Sequence, residues 1–353
     1  MSGLGELRAM AKRSRSERAR PSLPLRAPAR GSGRSLPLRA PARGSGRRRN
    51  DWAGYLFLAP WIVGILGITI LPILASLYLS FTDYRLTRRR PPEFIGFENY
   101  ARMFGDANWW DSVGVTVRYV VFGVPLQLAV ALGLAMLLDR GLRGLPFYRS
   151  VFYLPSLLGG SVAVAILWRQ VFGYEGLFNE FLAWKLRIAG VTLPSLGEIF
   201  GYETISWIGN ADTALWMIIL LHVWTFGSPM IIFLAGLRQI PVMYYEAASV
   251  DGAGKWRQFR SITLPLLSPI IFFNLVLQTI GSFQSFTQAY IISGGTGGPG
   301  TSTLFYGLYL YRQGFTSYQM GYASAMAWML LLTIAVVTAL FFATSRFWVF
   351  YED

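Results

Sequence analysis

The chain has 353 residues, of which 53% are hydrophobic and 14% charged, and it contains no cysteine. This composition is far more apolar than that of a soluble protein and indicates several membrane-spanning segments. The lack of cysteine excludes disulfides and thiolate metal sites. The formal net charge is +14, but residues 1–52 carry +11 of it, so the charge does not indicate a nucleic-acid-binding surface spread over the protein.

Residues 1–50 form a basic, low-complexity arm in which the segment SLPLRAPARGSGR occurs twice, at 22–34 and at 35–47. A segment so rich in Arg, Pro, Gly and Ser cannot bury enough apolar surface to offset its chain entropy. We therefore predict a disordered cytosolic tail. Its positive charge fixes the orientation of the chain and contacts anionic membrane lipid, and we expect no nucleic-acid partner.

Long apolar runs after the tail predict an all-α fold, a polytopic membrane bundle of six transmembrane helices. The predicted helices are 53–81, 115–138, 150–172, 212–237, 262–288 and 319–345. With the N-terminus inside, the inner segments hold 22 Lys and Arg and the outer segments 8. Most of this difference comes from the tail, and it places the N- and C-termini in the cytosol.

The charged residues of the apolar segments argue against ion-driven transport. Arg118, Arg169 and Asp212 fall near the predicted outer ends of their helices, where charge is tolerated. No acidic residue lies in the middle of a predicted span, although a proton- or sodium-driven carrier usually needs a buried carboxylate. A secondary carrier is therefore disfavoured.

Enzymatic chemistry has little support in the sequence. The single histidine, His222, has no carboxylate or thiol near it in the chain, and we predict neither catalytic nor metal-binding residues. The stretch 252–255 is not a P-loop, because that motif would need Gly at 249 and Ser or Thr at 256, which are Ser249 and Trp256. The chain therefore does not bind ATP through that motif.

Residues 246–265, EAASVDGAGKWRQFRSITLP, form a polar island between two apolar runs. Its first residues favour one or two helical turns, whereas Gly252 and Gly254 break or bend them. A second short helix follows, and Pro265 is expected to open the next apolar helix. The pattern predicts a helix, a bend and a second helix at a membrane face.

This stretch resembles the EAA loop of ABC importer permeases, and the flanking pattern is most similar to their maltose-type, carbohydrate branch. The resemblance covers 51–353, with the coupling loop at 241–265. It implies that this loop docks onto a cytosolic ATPase subunit. The residues that match the motif, and that the resemblance assigns to ATPase coupling, are Glu246, Ala247, Ala248, Asp251, Gly252, Ala253, Phe259 and Pro265.

The resemblance also implies the partners of the chain. These are a second homologous permease, two ABC ATPase subunits that carry ATP and Mg²⁺, and an extracytoplasmic solute-binding protein, all at the bacterial cytoplasmic membrane. No cofactor is expected in this chain itself.

Uncharged polar residues recur within two predicted helices. Asn274, Gln278, Ser282 and Ser285 are spaced by four, four and three residues, which places them on one helical face. His222 and Thr225 form a similar pair. Amides, hydroxyls and aromatic rings match the hydroxyls and C–H faces of a sugar. We predict that these six residues bind substrate, with hydrogen bonding between helices as the alternative for any single one.

The sequence thus predicts a permease subunit that moves a di- or oligosaccharide, powered by partner ATPases. An ABC permease for another small polar solute, such as a polyamine, is the first alternative, but a polyamine would favour acidic residues in the spans. A secondary carrier or membrane enzyme is the second. A membrane-tethered nucleic-acid binder, acting through the basic arm, is the most remote.

Overall fold

The computed structural model describes residues 51–87, 91–140, 144–184, 187–188, 191–192, 195 and 205–350. The predicted disordered tail, residues 1–50, lies outside this range. The described residues fall into two units that meet in sequence between Pro60 and Trp61. The described part of the first unit, residues 51–60, is helical.

Four helices in the described residues are long and apolar enough to cross a membrane: Tyr55–Ser80, Ala107–Asp139, Lys255–Phe283 and Met320–Ser345. Two bent pairs meet the same criteria when each is taken together. Leu145–Leu158 and Val162–Val171 meet at 95°, and Ala211–Trp224 and Gly227–Leu237 meet at 43°. Counting each pair once gives six candidate spans, which we number 1 to 6 in chain order. The predicted all-α membrane bundle is confirmed.

Shorter elements connect the spans. The helices are Glu98–Phe104, Leu177–Ala183, Val242–Val250, Thr287–Ile292 and Tyr306–Tyr311, and a two-residue ladder joins strands Arg187–Ile188 and Val191–Thr192. Wider, π-helical turns occur at Ile65–Ile70 between helices Asp51–Gly64 and Leu71–Ser80. They also occur at Phe259–Thr263, between Lys255–Gln258 and Leu264–Phe283, and at Arg312–Thr316.

Several of the predicted first and last residues of the transmembrane helices were wrong. Span 2 begins at Ala107 rather than 115, because the Asp106 carboxylate caps the helix by accepting a hydrogen bond from the Asn108 N–H at 3.1 Å. Span 5 begins at Lys255 and ends at Phe283, so Pro265 lies inside a continuous helix instead of opening one. The wide turn before Pro265 accommodates the missing N–H.

Span 2 is the central helix of the second unit. It packs against both halves of span 4 and against span 5. Its inward face is closely packed, with Val115, Val124, Ala131 and Leu138 each no more than 1% exposed. This packing fixes where side chains of span 2 meet those of the neighbouring spans.

Asp106 also ties the N-terminal end of span 2 to two other elements. Its carboxylate accepts hydrogen bonds from the hydroxyls of Tyr309 and Tyr322. Burial and the neighbouring carboxylate both raise the pKa of Tyr309, so its hydroxyl stays protonated and donates to Asp106. The three residues join span 2, the helix Tyr306–Tyr311 and span 6.

Candidate functional site

Spans 3 and 4 are interrupted within the described chain, and span 5 is followed by a similar interruption. The interruptions are residues 159–161, 225–226 and 284–286. All three line one cavity of about 400 Å³. Interrupted helices expose backbone carbonyls, which membrane proteins tolerate only where protein or a watery cavity satisfies them. The cavity is therefore the place where these spans can be broken.

The cavity is lined by amides, hydroxyls and a few aromatic rings. Its polar lining residues in the described chain are Tyr119, Gln127, Ser156, His222, Thr225, Ser228, Gln278, Ser282, Gln284, Ser285, Thr287 and Gln288. No Asp, Glu, Lys or Arg is among them. Such a lining can hydrogen-bond a polar, hydroxylated ligand but offers no counter-ion to a charged one.

Five of the six predicted substrate residues line this cavity: His222, Thr225, Gln278, Ser282 and Ser285. The His222 Nε2 atom lies 3.4 Å from the Ser282 Oγ atom, which brings spans 4 and 5 together. Ser285 is not on the helical face that its spacing predicts, because span 5 ends at Phe283. It reaches the cavity from the interruption that follows.

Asn274 does not line the cavity. Its side chain is 1% exposed, and its Nδ2 atom donates to the carbonyl of Ile270 at 2.9 Å in the same helix. A buried amide is costly unless it is paired, and this bond provides the pairing locally. The structure places Asn274 in the packing of span 5, one turn of helix away from Gln278.

Sequence reasoning missed several lining residues, among them Gln127, Ser156 and Gln288. They come from span 2, from the first half of span 3 and from the helix after span 5. Gln127 is an isolated amide in an apolar run, and this was an available signal. The interruption of span 3 also had a signal in the pair Gly159 and Gly160.

The loop region, residues 241–265, folds as helix, bend and helix, as the sequence predicts. Helix Val242–Val250 ends in a left-handed turn at Gly252, whose φ is +77°. The Gly252 N–H donates to Ser249 O at 3.1 Å and the Ala253 N–H to Ala248 O at 2.8 Å, a Schellman motif. An L-residue rarely adopts this φ, which explains glycine at 252.

Side chains that the prediction did not include stabilise the bend. The Gln258 Nε2 atom donates to Ser249 Oγ at 2.9 Å and to Ala253 O at 3.0 Å. The hydroxyls of Tyr245 and Thr263 lie 3.0 Å apart and join the two helices. The loop therefore holds its shape through its own hydrogen bonds.

The predicted coupling residues differ in exposure. Glu246, Ala247, Asp251 and Gly252 are exposed, and Ala248, Ala253, Phe259 and Pro265 are partly buried. Two large apolar side chains beside them are strongly exposed, Val250 at 88% and Trp256 at 72%. The loop region thus exposes both polar and apolar side chains.

Rigid helices join the loop region to the cavity. Span 5 runs without a break from Lys255 past Gln278 to Phe283, so its 29 residues reach roughly 43 Å at 1.5 Å per residue. Span 4 reaches the loop through its second half, Gly227–Leu237. Where that half ends, Arg238 Nε lies 3.5 Å from the Asp139 carboxylate of span 2. A displacement of the loop can therefore be carried to two walls of the cavity.

Comparison with known proteins gives a consistent result. The chain is 50% identical over 307 residues to the probable ABC transporter permease protein YesP of Bacillus subtilis, covering 87% of this chain and 94% of that protein. It is 37% identical over 293 residues to the sulfoquinovosyl glycerol transport system permease protein SmoG of Agrobacterium fabrum, covering 82% and 89%.

A third relative is the lactose transport system permease protein LacF of Rhizobium radiobacter. It is 34% identical over 302 residues, covering 85% of this chain and 96% of that protein. Among solved structures, a chain of a bacterial alginate ABC transporter, in complex with a pentasaccharide-bound periplasmic protein, superimposes with a TM-score of 0.67. The sequence identity is 20%, covering 84% of this chain and 95% of that one, so this likeness shows the fold.

The family described as "Binding-protein-dependent transport system inner membrane component" matches residues 106–347, which include the cavity and the loop region. That family consists of transport components rather than enzymes, and its description implies a binding protein as partner. The chain is thus a multi-pass membrane protein that belongs to the binding-protein-dependent transport system inner membrane component family.

Proposed function

We propose that this chain is the permease subunit of an ATP-driven importer that moves a di- or oligosaccharide through the cavity of spans 2 to 5. The observation that carries the proposal is the uncharged polar lining of that cavity, at the junction of interrupted helices. Relatives named for lactose, for sulfoquinovosyl glycerol and for trehalose and maltose transport support a carbohydrate cargo.

The cavity chemistry suits a carbohydrate. The side chains of Gln278, Gln284 and Gln288 can each donate to and accept from a sugar hydroxyl. Tyr119 and Phe286 provide aromatic surface for the C–H faces of a pyranose. The described lining holds no carboxylate, which disfavours a polyamine cargo. A volume of about 400 Å³ lies within the range of about 300–1,000 Å³ that is usual for small-ligand sites.

The loop region is the proposed contact with a cytosolic ATPase, which binds ATP and Mg²⁺ in place of this chain. Glu246 would pair with a basic group or cap a helix of the ATPase, and Gly252 would permit the bend and a close approach. Closure of the ATPase dimer would then move the loop region, and spans 4 and 5 would carry that movement to the cavity.

The assembly that follows contains a second homologous permease, two ATPase subunits and an extracytoplasmic solute-binding protein in a bacterial cytoplasmic membrane. The N- and C-termini face the cytosol in this arrangement. The exposure of Val250 at 88% and Trp256 at 72% in the loop region supports the ATPase contact, since exposed apolar patches rimmed by polar residues mark protein–protein interaction sites.

Reconstitution of the full transporter in proteoliposomes tests the proposal. Uptake of radiolabelled disaccharides and oligosaccharides, neutral and acidic, is measured with the ATPases and binding protein present. We expect uptake to need ATP and to be independent of an ion gradient. Uptake without the ATPases, driven by a proton or sodium gradient, would show a secondary carrier instead.

Variants of the cavity test the route of the cargo. Gln278→Leu should raise the KM for the transported sugar about tenfold, because a buried polar contact is lost. The matched control is Leu277→Met, at the preceding residue of the same helix, which is 47% exposed. A KM unchanged in Gln278→Leu would place the cargo elsewhere.

A further inference from the structure

The interruption of span 4 is held by side chains from two other spans. The carbonyls at this interruption are those of Thr225 and of His222, at the end of the helix Ala211–Trp224, and His222 O accepts from the Thr225 N–H at 3.0 Å. The Ser156 hydroxyl donates to Thr225 O at 2.8 Å and accepts from the Ser228 N–H at 2.9 Å. Ser156 thereby spans the gap between the two halves of the span.

Gln127 makes the larger set of contacts at the same place. Its Nε2 atom lies 3.2 Å from His222 O, 3.1 Å from Thr225 O and 3.0 Å from Thr225 Oγ1. The Thr225 hydroxyl in turn donates to His222 O at 2.6 Å. One amide group therefore faces three acceptors at the interruption, and this requires the nitrogen rather than the oxygen to point there.

The other end of this amide has no partner in the described chain. Gln127 is 1% exposed, and its Oε1 atom is buried without a hydrogen bond among the described residues. Leaving a buried acceptor unpaired costs free energy. A leucine at 127 would avoid that cost, so the packing of span 2 does not explain a glutamine here. The contacts with span 4 do.

Span 2 is an uninterrupted helix packed against both halves of span 4. We propose that Gln127 is a positioning residue that fixes the bend of span 4, so that the two halves move as one body. This role rests on the proposed function, because the loop region can move the outer half of span 4 only if the interruption transmits the displacement. Gln127 also lines the cavity, which places this contact beside the cargo.

Distance measurements on the assembled transporter test this role. Trp216 and Ile231 lie on the two halves of span 4 and are 48% and 36% exposed. Replacing both with cysteine introduces the only thiols of this chain, which has none. Spin labels at these positions report the bend by pulsed electron resonance, in nanodiscs, with and without Mg-ATP and vanadate.

With Gln127 present, we expect one narrow distance distribution in each condition. Gln127→Leu should increase the population of a second bend about tenfold, because the contacts of Gln127 Nε2 with His222 O, Thr225 O and Thr225 Oγ1 are lost and Ser156 is then the remaining side chain of another span, among the described residues, that bonds to this interruption. The matched comparison is Gln284→Leu, an exposed glutamine of the same cavity with no hydrogen bond to span 4 in the described chain. It should leave the distribution narrow.

Thr225→Val provides a second variant should Gln127→Leu fail to assemble. It keeps the shape of the side chain but removes the hydroxyl that lies 3.0 Å from Gln127 Nε2, so a smaller broadening in the same direction is expected. A narrow, unchanged distribution in Gln127→Leu, or in Thr225→Val alone, would overturn the proposal. The distances do not depend on the cargo, so this outcome is distinct from failure of the uptake experiments.

Discussion

The cavity and the loop region satisfy their backbone groups in opposite ways. At the cavity, carbonyls at the interruptions are bound by side chains from other helices, such as Gln127, Ser156 and Gln288. In the loop region the bend is stabilised by its own residues, through Gly252 and Gln258. The first arrangement depends on the packing of the whole bundle, and the second is local.

The two regions also differ in what they leave exposed. Around the cavity, residues of different spans touch so closely that glycine is needed, as at Gly159 against Thr225. In the loop region, Gly252 and Gly254 face open space, and Trp256 is 72% exposed. The cavity region is thus closely packed by contacts within this chain, whereas the loop region leaves large apolar side chains exposed.

The largest effect is expected where two spans meet in the cavity region. A Cβ atom on Gly227 would lie 2.6 Å from Phe152 O and 2.8 Å from Tyr153 Cα, both backbone atoms. Gly227→Val should therefore destabilise the fold by about 3 kcal/mol or more and abolish the yield of assembled protein after detergent extraction. Gly281→Ala is the control, since a Cβ there meets nothing within 4 Å. Normal yield of Gly227→Val would contradict the close approach.

The next effect separates folding from transport. Gly252→Val forces a β-branched residue into a left-handed turn, which costs roughly 1–2 kcal/mol and reshapes the loop. Membrane insertion should persist, while ATP-driven uptake and the stimulation of the ATPase fall to background. The control is Gly254→Ala, at a position with φ of −68° and open space. Uptake that survives Gly252→Val would refute the coupling role of this bend.

A smaller effect is expected on the exposed surface of the loop region. Trp256→Ala removes an apolar side chain that packs mainly on Phe259, at 5.5 Å between ring centroids. Stability should change by no more than about 0.5 kcal/mol, but the affinity for the ATPase should fall about tenfold. Trp184→Ala, another strongly exposed tryptophan outside this loop, is the control. The affinity of each variant for the purified ATPase is measured by biolayer interferometry.

The smallest effect concerns one hydrogen-bonding side chain of the cavity region. Ser156→Ala leaves Thr225 O and the Ser228 N–H without their shared partner, and should lower the free energy of unfolding by about 1 kcal/mol. Ser150→Ala on the same helix removes only an exposed bond to Pro146 O and should have no measurable effect. Thermal unfolding in detergent compares the two. Equal melting temperatures would show that the interruption does not need Ser156.

Prediction from the sequence succeeded for features that depend only on residues close together in the chain. The bend at Gly252 follows from residues within a few positions of it, because a Schellman motif uses only neighbouring carbonyls. The apolar runs likewise gave the membrane bundle, and the comparisons confirm that fold and the permease family. The ends of the helices were predicted less accurately. Span 2, for example, begins before its apolar run, because a capping residue such as Asp106 can extend a helix beyond that run.

The substrate-binding and coupling roles of individual residues remain predictions, but their positions are informative. Helical spacing placed Gln278 and Ser282 together on span 5, and both line the cavity. The same spacing included Asn274, whose amide instead bonds within its own helix. Spacing identifies a face of a helix, but it cannot say at which turn that face leaves the packed interior and meets a cavity.

The amino-acid sequence by itself determined the all-α class, the rough extent of the apolar segments and the bend of the loop region, because these depend on composition and on contacts between near neighbours. Only the tertiary structure decided that the interruptions at 159–161, 225–226 and 284–286 meet at one cavity. It also decided that Gln127, 95 residues before His222, donates to the His222 carbonyl there. Contacts over such separations arise from the packing of whole helices, which no local pattern encodes.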